Sequence, residues 1–227
     1  MPSEDEQPAR FHSAAGLPLL EVRRLSRVQY RVAHELQQAL VEARIEERIS
    51  DQLLLTEHDP VITVGRGGEA MPAELGGVPV LSVERGGDAT YHGPGQLVAY
   101  PIVRLDSEHR DLHRYLRDLE EVVIRMLAEF SVAGTRKHGL TGVWVGDKKI
   151  CSIGVAVRRW VAWHGFALNL RTDLGVFRSF RPCGLDPEVM TRLADHAELP
   201  PGNLLLEELA VKHFCAVFGH VLTPAGD

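Results

Sequence analysis

Apolar side chains recur at helical spacing in three parts of the chain, with charged and amide residues between them. In residues 25–48 the repeat falls every three or four positions, which predicts an amphipathic helix. A longer apolar stripe covers residues 112–130, and Asp106 or Ser107 is placed to cap that helix. A third stripe covers residues 206–218. The pattern therefore predicts an early, a central and a C-terminal helix.

Short apolar runs bounded by glycine, proline and aspartate predict strands. The segment DQLLLTEHDPVITV contains two such runs, and the Asp59-Pro60 turn between them predicts that the two strands pair near His58. Because strands follow strands in the middle of the chain while the helices stand apart, the predicted fold class is α+β around a mixed or antiparallel sheet. Further strands are predicted at residues 79–83, 97–103, 143–145, 149–157 and 161–170.

The composition is that of an ordinary globular domain. The 227 residues are 44% hydrophobic and 25% charged, and no repeat or long linker divides them, so residues 1–227 are predicted to form one domain with flexible ends at 1–18 and 223–227. Neither a secretion signal nor an apolar run of about 20 residues is present, so a cytoplasmic location is expected. The formal charge of −6 disfavours non-specific nucleic-acid binding but not a local basic patch.

The stretch RGGDATYHGPGQLVAYP, residues 85–101, is the strongest candidate for a binding site and is called the central loop below. Its four glycines allow the backbone to approach a ligand closely and to present N–H groups to it. A Gly-Pro connector is the alternative, but a connector needs neither four glycines nor a Tyr-His pair before Gly-Pro-Gly. The earlier GRGG segment around Arg66 could bind an anion, although a simple loop is favoured there.

The three cysteines differ in their surroundings, and surroundings decide thiol reactivity. Cys215 lies in the C-terminal helix and Cys151 in a strand, where both are expected to pack in the core. The chain has three cysteines in all, and this odd number and their wide spacing argue against disulfides and against a cysteine-rich zinc site. Cys183 stands between Pro182 and Gly184, where an exposed thiol is sterically easy, so it is a candidate nucleophile or simply a structural residue.

A nucleophilic cysteine needs a neighbouring base or positive charge, and the candidates are His92, His164 and a lysine. Lys149 shares its side of a predicted strand with Cys151, so burial there would lower its pKa and suit proton transfer. The alternative is a solvated pair of lysines at a hairpin corner. His164 is predicted to share a side with Phe166 and, taken alone, to be a hydrogen-bonded core residue.

Three segments together resemble one family, the lipoyl(octanoyl) transferases. The central loop is similar to the signature loop of that family, KKICSIGVAVRRWVAWHGFALNL to its lysine-bearing strand pair, and RPCG to its nucleophile turn. The similarity extends from YRVAHELQ to about Thr191, and so covers most of the chain. The resemblance implies a mixed β-sheet flanked by helices, the fold of biotin and lipoate protein ligases.

The resemblance also implies residue roles. Cys183 becomes the nucleophile that carries the acyl thioester, and Lys149 lowers the pKa of that thiol and acts as acid and base, with His164 as possible support. Asp88 departs from the family, which more often has a neutral or basic residue there. The implied substrate-binding residues are Arg85, Gly86, Gly87, Asp88, Ala89, Thr90, Tyr91, His92, Ser152, Ile153, Gly154, Gly165, Phe166 and Ala167.

The implied reaction moves an octanoyl group from octanoyl-acyl carrier protein, through a cysteine thioester, to a lysine of lipoyl domains. Those domains belong to 2-oxoacid dehydrogenase complexes or to the glycine cleavage H protein. No cofactor, metal, nucleic acid or membrane is implied. The alternatives are an ATP-dependent biotin or lipoate ligase, a domain that only holds acyl carrier protein, and a thioesterase. Both protein partners in this family are acidic, and the arginines that could attract them are Arg104, Arg110, Arg114, Arg117, Arg158 and Arg159.

Overall fold

The computed structural model describes residues 11–105, 110–182 and 185–224. Within these ranges the chain forms two sheets and three α-helices, which confirms the predicted α+β class. The elements are β1 (Leu19–Val28), α1 (Tyr30–Ile45), β2 (Asp51–His58), β3 (Val61–Val64), β4 (Glu74–Leu75), β5 (Val78–Ser82), β6 (Ala89–His92), β7 (Gln96–Arg104), α2 (Leu112–Ala128), β8 (Thr135–Lys137), β9 (Leu140–Val145), β10 (Lys148–Arg158), β11 (Val161–Asn169), α3 (Asn203–Phe218) and β12 (Val221–Leu222).

The larger sheet is mixed and has eight strands, in the order β12-β1-β2-β7-β11-β10-β9-β8. Strand β1 pairs in parallel with β2 and β12, and the remaining neighbours are antiparallel. The central strands β7 and β11 are buried along almost their whole length. Their continuous apolar sequences follow from this, because a strand covered on both faces has no polar side.

Different elements cover the two faces of the large sheet. Leu53 and Leu55 of β2 point into a core formed with α2 and α3, whereas Leu54 between them points into a core formed with α1. A third cluster lies under the smaller sheet, whose strand order is β4-β5-β3-β6. The smaller sheet therefore has its own apolar support, which includes Phe177 and Phe180 from the segment before Cys183.

Residues 25–28 extend strand β1, so the predicted start of the first helix is wrong. Apolar spacing over four residues fits a strand as well as a helix, and pairing decides between them: Arg27 lies opposite Glu57 and Val28 opposite His58. The helix itself begins at Tyr30 and ends at Ile45. Neighbouring strand β2 thus overrides a local helical pattern.

Strands β2 and β3 do not pair, which contradicts the hairpin predicted at Asp59-Pro60. Strand β2 pairs with β1 and β7, whereas β3 pairs with β5 and β6 in the other sheet. Two-residue hairpins favour residues that accept positive φ, such as Asn-Gly. Proline cannot adopt that conformation, so the chain turns a corner between sheets at this point.

The central helix α2 is capped by Asp111, whose carboxylate accepts a hydrogen bond from the Arg114 backbone N–H at 3.0 Å. The predicted caps, Asp106 and Ser107, lie outside the described residues, and the prediction is wrong because the helix starts at Leu112. The predicted single domain stays a prediction. Across the described ranges, no helix combines the length and the apolar character needed to cross a bilayer.

Candidate active site

Residues 85–92 of the central loop enclose a cleft together with strands β7, β10 and β11. The cleft has a volume of about 450 Å³, including its open mouth. Three of the predicted binding residues, Gly86, Ala89 and Tyr91, do not line it. The lining residues are Arg85, Gly87, Asp88, Thr90, His92, Ser152, Ile153, Gly154, Gly165, Phe166 and Ala167 from the predicted set, together with His164, Tyr30, Val98 and Tyr100.

Arg85 fixes the shape of the central loop from within. Its side chain is buried, and the guanidinium donates to the carbonyl oxygens of Gly86 at 3.1 Å, Asp88 at 2.8 Å and Thr63 at 2.7 Å. It also donates to the Thr63 hydroxyl at 2.9 Å. Hydrogen bonds from a charged donor are among the stronger ones in proteins. Arg85 thus lines the cleft and holds its loop against strand β3.

Two glycines allow the loop and the sheet to approach each other. Gly154 of β10 lies opposite Gly165 of β11, and a Cβ on Gly154 would lie 3.0 Å from the Arg85 Cδ. A Cβ on Gly165 would lie only 2.2 Å from the Ala99 carbonyl oxygen. The Gly86 N–H donates to the Val155 carbonyl at 2.9 Å and completes the contact. The glycines in both predicted segments therefore have steric reasons to be there.

Strand β6 forms the second half of residues 85–92 and explains why Ala89 and Tyr91 miss the cleft. Alternate side chains of a strand point to opposite faces: Thr90 and His92 line the cleft, whereas Tyr91 packs on Phe177 with ring centroids 5.7 Å apart. Ala89 joins the same apolar cluster as Tyr91. These two residues support the wall of the cleft and do not line it.

Lys149 lies in β10 and is 3% exposed, so the alternative of a solvated lysine pair is excluded for this residue. Its Nζ lies 5.8 Å from the centroid of the Trp144 ring. Gly142 of β9 provides the space, because a Cβ there would lie 2.7 Å from the Lys149 Cε and 2.6 Å from the Cys151 carbonyl oxygen. Lys149 precedes the cleft residue Ser152 by three positions, or about 10 Å along the strand.

Replacing Gly142 by alanine is expected to destabilise the protein by about 3 kcal/mol, because overpacking adds to the strain of a φ of +128°. Gly146, in the same hairpin, has a φ of +56°, and no atom of the described residues lies within 4 Å of an added Cβ. The matched variant Gly146→Ala should therefore cost only about 1 kcal/mol. Urea unfolding of both variants measures the difference. Equal losses of unfolding free energy would contradict the explanation that Gly142 leaves room for the Lys149 side chain.

Cys183 and Gly184 lie outside the described residues, but the segments on both sides of them are placed. The Leu185 N–H donates to the Pro182 carbonyl at 3.0 Å. On the C-terminal side, Met190 forms a parallel bridge with Lys149, and the Thr191 N–H donates to the Lys149 carbonyl at 2.9 Å. The chain that carries the predicted nucleophile thus returns to the strand that carries the predicted base.

Buried polar side chains connect the central loop to that same backbone. The Nδ1 of His92 lies 2.8 Å from the Gln96 side-chain oxygen, and the Gln96 amide donates to the Asn169 side-chain oxygen at 2.9 Å. Asn169 in turn donates to the Thr191 carbonyl at 2.9 Å. Since Thr191 bonds to Lys149, a continuous series of hydrogen bonds joins the loop to the lysine strand. Sequence reasoning missed Gln96 and Asn169, which carry no motif of their own.

His92, which lines the cleft, and its neighbour His58 are histidines that burial keeps neutral. Burial lowers the pKa of His92 to about 3 and that of His58 to about 4. His58 lies between the Val28 carbonyl at 2.9 Å and the Tyr100 hydroxyl at 2.8 Å. His92 is therefore a neutral hydrogen-bonding residue at pH 7 and does not provide the positive neighbour that a thiolate needs.

Stability is expected to fall by about 4 kcal/mol between pH 7 and pH 5 through these two groups. An unfolded histidine has a pKa of about 6.5, so the unfolded chain binds protons below that pH while folded His58 and His92 do not. Stability is thus complete above about pH 6.5 and declines as the pH falls towards 4. Urea titrations should give a shallower pH slope for His58→Gln, whereas His113→Ala, at an exposed position, should retain the wild-type slope. Equal slopes for all three proteins would contradict the buried-histidine explanation.

His164 does not share a side with Phe166, contrary to the strand alternation predicted from the sequence. Its φ of +58° interrupts the alternation. The ring stacks on Trp163 at 4.2 Å between centroids and lies 6.4 Å from that of Tyr100, towards α1. Phe166 belongs to the opposite core, with α2 and α3. His164 is buried, as predicted, and lines the cleft, but its Nε2 has no hydrogen-bond partner within the described ranges, contrary to the predicted hydrogen-bonded core residue.

The other two cysteines are poor nucleophiles. Cys151 is fully buried, and burial raises the pKa of its thiol far above the usual range. Burial also raises the pKa of Cys215, which packs against the same core. Both thiols are free and packed, as the sequence predicted.

A family model described as the lipoyl protein ligase A/B catalytic domain matches residues 29–218. The chain belongs to this family. In overall fold it is similar to a crystal structure of lipoate-protein ligase A bound with ATP, with a TM-score of 0.72 and 15% identity over 91% of this chain and 88% of that one. It is also similar to biotin protein ligase from Aquifex aeolicus, with a TM-score of 0.54 and 15% identity over 88% and 70% of the two chains.

Curated relatives are more similar in sequence to this chain than these solved structures are, and their names state an activity. The chain is 52% identical to an octanoyltransferase of Rubrobacter xylanophilus over 77% of this chain and 82% of the relative. It is 48% identical to an octanoyltransferase of Geobacter metallireducens, over 72% and 77%. These relatives confirm the prediction from the sequence that the protein is an octanoyltransferase enzyme.

Proposed function

We propose that the protein moves an octanoyl group from acyl carrier protein to Cys183, and from Cys183 to the side-chain amine of a lysine in a lipoyl domain. The observation that carries this proposal is the convergence of three separate segments on one cleft, which is lined in part by the strand that carries the buried Lys149. The central loop, residues 152–154 and residues 165–167 all line the cleft. The segment that contains Cys183 is tied by Thr191 to the backbone of Lys149.

The first step exchanges one thioester for another. The Cys183 thiolate attacks the octanoyl carbonyl, and the bond between that carbonyl and the sulfur of the carrier breaks. The proton lost by Cys183 passes to Lys149, and the departing thiolate of the carrier takes a proton back from it. The products are octanoyl-Cys183 and the free carrier thiol. A buried amine suits this role because it can hold one proton close to both sulfur atoms.

The second step forms the amide. The neutral amine of the acceptor lysine attacks the octanoyl-Cys183 carbonyl, the carbon–sulfur bond breaks, and the Cys183 thiol is restored. Lys149 accepts the proton that the attacking nitrogen loses and returns it to the sulfur. A thioester is already activated, so the reaction consumes no ATP.

The cleft is suited to an aliphatic chain near its strands. Val98, Ile153 and Phe166 provide apolar surface there. Burial of a methylene contributes about 0.8 kcal/mol. A chain shorter by two methylenes should therefore bind more weakly by about 1.6 kcal/mol, which favours octanoyl over hexanoyl.

A direct comparison of donors tests the proposed function. The enzyme and a lipoyl domain are incubated with octanoyl-acyl carrier protein without ATP, and in parallel with free octanoate and ATP. Intact-mass spectrometry should show octanoyl-enzyme and then octanoyl-lipoyl domain only in the first mixture. Modification that needs ATP would instead support a ligase, and release of free octanoate in preference to transfer would support a thioesterase.

The basic surface proposed for acidic partners is smaller than the sequence suggested. Arg104, Arg114, Arg117 and Arg158 are each paired with a carboxylate of the same chain. Arg110 and Arg159 are exposed and flank Trp160, with the Arg110 guanidinium 5.0 Å from its ring centroid. Trp160 is five residues, or about 16 Å along the strand, from cleft residue Gly165.

Replacing both Arg110 and Arg159 by glutamate is expected to reduce kcat/KM with octanoyl-acyl carrier protein about tenfold. The loss should shrink as salt is added, because a charged rim acts mainly on association. Transfer from a small octanoyl thioester to the same enzyme should stay within twofold of wild type. An equal loss with both donors would show that these arginines do not serve carrier binding.

A further inference from the structure

Three side chains from distant parts of the chain converge beside the cleft. His34 lies on α1, Glu84 follows strand β5, and His164 lies on β11. The Nε2 or Nδ1 atom of each histidine and a carboxylate oxygen of Glu84 all lie within 4.8 Å of one another. None of the three takes part in the acyl-transfer steps proposed above, so their convergence needs a separate explanation.

His164 provides the second, independent observation. Its side chain is 2% exposed, and its Nε2 is buried with no hydrogen-bond partner among the residues that the structure describes. That atom lies 3.9 Å from the Glu84 Oε2, too far for a hydrogen bond. The residue also has a φ of +58°, a backbone conformation that costs energy for residues other than glycine. A strained residue thus directs an unsatisfied nitrogen towards a carboxylate and a second imidazole.

The spacing is close to that of a tetrahedral zinc site. Two ligand atoms of such an ion lie about 3.4 Å apart, since each is about 2.1 Å from the metal. The His34 Nε2 is 2.9 Å from the Glu84 Oε2, and the corresponding His164 distance is 3.9 Å. The two distances bracket the ideal value, so side-chain movements of about 1 Å would bring three ligands to one ion.

We propose that His34, Glu84 and His164 bind a zinc ion. Two imidazoles and one carboxylate form a donor set that suits Zn²⁺ and leaves one position for water. Glu84 is 40% exposed and lines an open groove together with Gln38 and Arg66, which gives an ion access from solvent. This site departs from the expectation, drawn from the sequence, that the protein binds no metal.

Zinc at this site would join the large sheet to the start of the central loop. His34 and His164 belong to elements packed on or within that sheet, whereas Glu84 directly precedes Arg85, the residue that shapes the loop. The ion would therefore stabilise the loop in its observed position without entering the chemistry of acyl transfer. Its expected effects are on stability and on the KM for the acyl donor.

Titration with ZnCl₂ followed by calorimetry tests the proposal on the full chain. Wild-type protein should bind one zinc ion, and His34→Gln or Glu84→Gln should each bind it at least about 100-fold more weakly, since even outer-shell changes cost 10- to 100-fold. Glutamine at position 34 can still donate to Glu84, which limits any effect on folding. At a zinc concentration 100 times the Kd, the Tm of wild type should rise by about 5 to 10 °C, and that of the variants should not.

Two controls separate this site from other zinc ligands. Cys183→Ser and His113→Ala should retain wild-type affinity, because neither residue belongs to the proposed ligand set. Co²⁺ in place of zinc should give the visible absorption of a tetrahedral nitrogen–oxygen site without thiolate charge-transfer bands. Unchanged affinity in both glutamine variants, loss of binding in Cys183→Ser, or no saturable binding would each overturn the proposal.

Discussion

Replacing Cys183 by alanine is expected to lower octanoyl transfer by at least about 10⁴-fold and to abolish the octanoyl-enzyme. Removal of a covalent nucleophile takes away the whole reaction path and leaves only substrate binding. The rate is measured with octanoyl-acyl carrier protein and a lipoyl domain, and the intermediate by intact-mass spectrometry after mixing with donor alone. Binding of the donor should persist, because the cleft lining is unchanged.

Cys215→Ser is the matched control for this experiment. Cys215 is a free thiol whose pKa burial raises, so its loss should leave both the rate and the acylated mass unchanged. If Cys183→Ala still accumulated an acyl-enzyme, the nucleophile would have to be another residue, and the proposed two-step transfer through Cys183 would be wrong.

Replacing Lys149 by methionine is expected to lower kcat by about 10²- to 10⁴-fold, the range usual for loss of a general acid–base group. Methionine is flexible and of similar length, so it can fill the space that the Lys149 side chain occupies beside Trp144 and Gly142 and can preserve folding. The same variant should move the pH dependence of Cys183 alkylation by iodoacetamide to higher pH, because a neighbouring positive charge favours the thiolate.

Lys148→Met is the control that removes a positive charge from the same hairpin but leaves the buried amine of Lys149 in place. Lys148 is exposed and donates to the Glu188 carbonyl, so its loss should change kcat by less than threefold. An alkylation profile for Lys149→Met identical to that of wild type would show that Lys149 does not act on the thiol, even if kcat fell for structural reasons.

Much of the fold could be predicted because local sequence and tertiary structure agree in it. Helix α2 follows directly from its apolar spacing, and strands β9 and β10 correspond to the short apolar runs predicted at residues 143–145 and 149–157. Two of the wrong predictions concern strand pairing between distant segments. Residues 25–28 become strand because β2 lies beside them, and β3 leaves β2 because its partners are β5 and β6. A single sequence does not carry such pairings.

Some residues of the candidate site could likewise be recognised from the sequence, and others could not. Glycine-rich segments and the central loop could be recognised because close backbone approach requires glycine, and the structure places Gly154, Gly165 and Gly87 at the cleft. Tyr30 and Tyr100 could not be recognised, because an isolated tyrosine in a helix or a strand resembles any core residue. The face occupied by His164 depends on one positive φ, which strand alternation does not predict.

The buried guanidinium of Arg85 has a consequence for affinity. It is bonded to the carbonyl oxygens of Gly86 and Asp88 in the central loop and of Thr63 in strand β3, so the loop keeps its shape before any donor arrives. Ordering a mobile segment on binding costs free energy that reduces affinity. A preorganised loop avoids that cost, and the octanoyl chain should then bind rapidly. The main loss of entropy on binding should come from ordering the octanoyl chain.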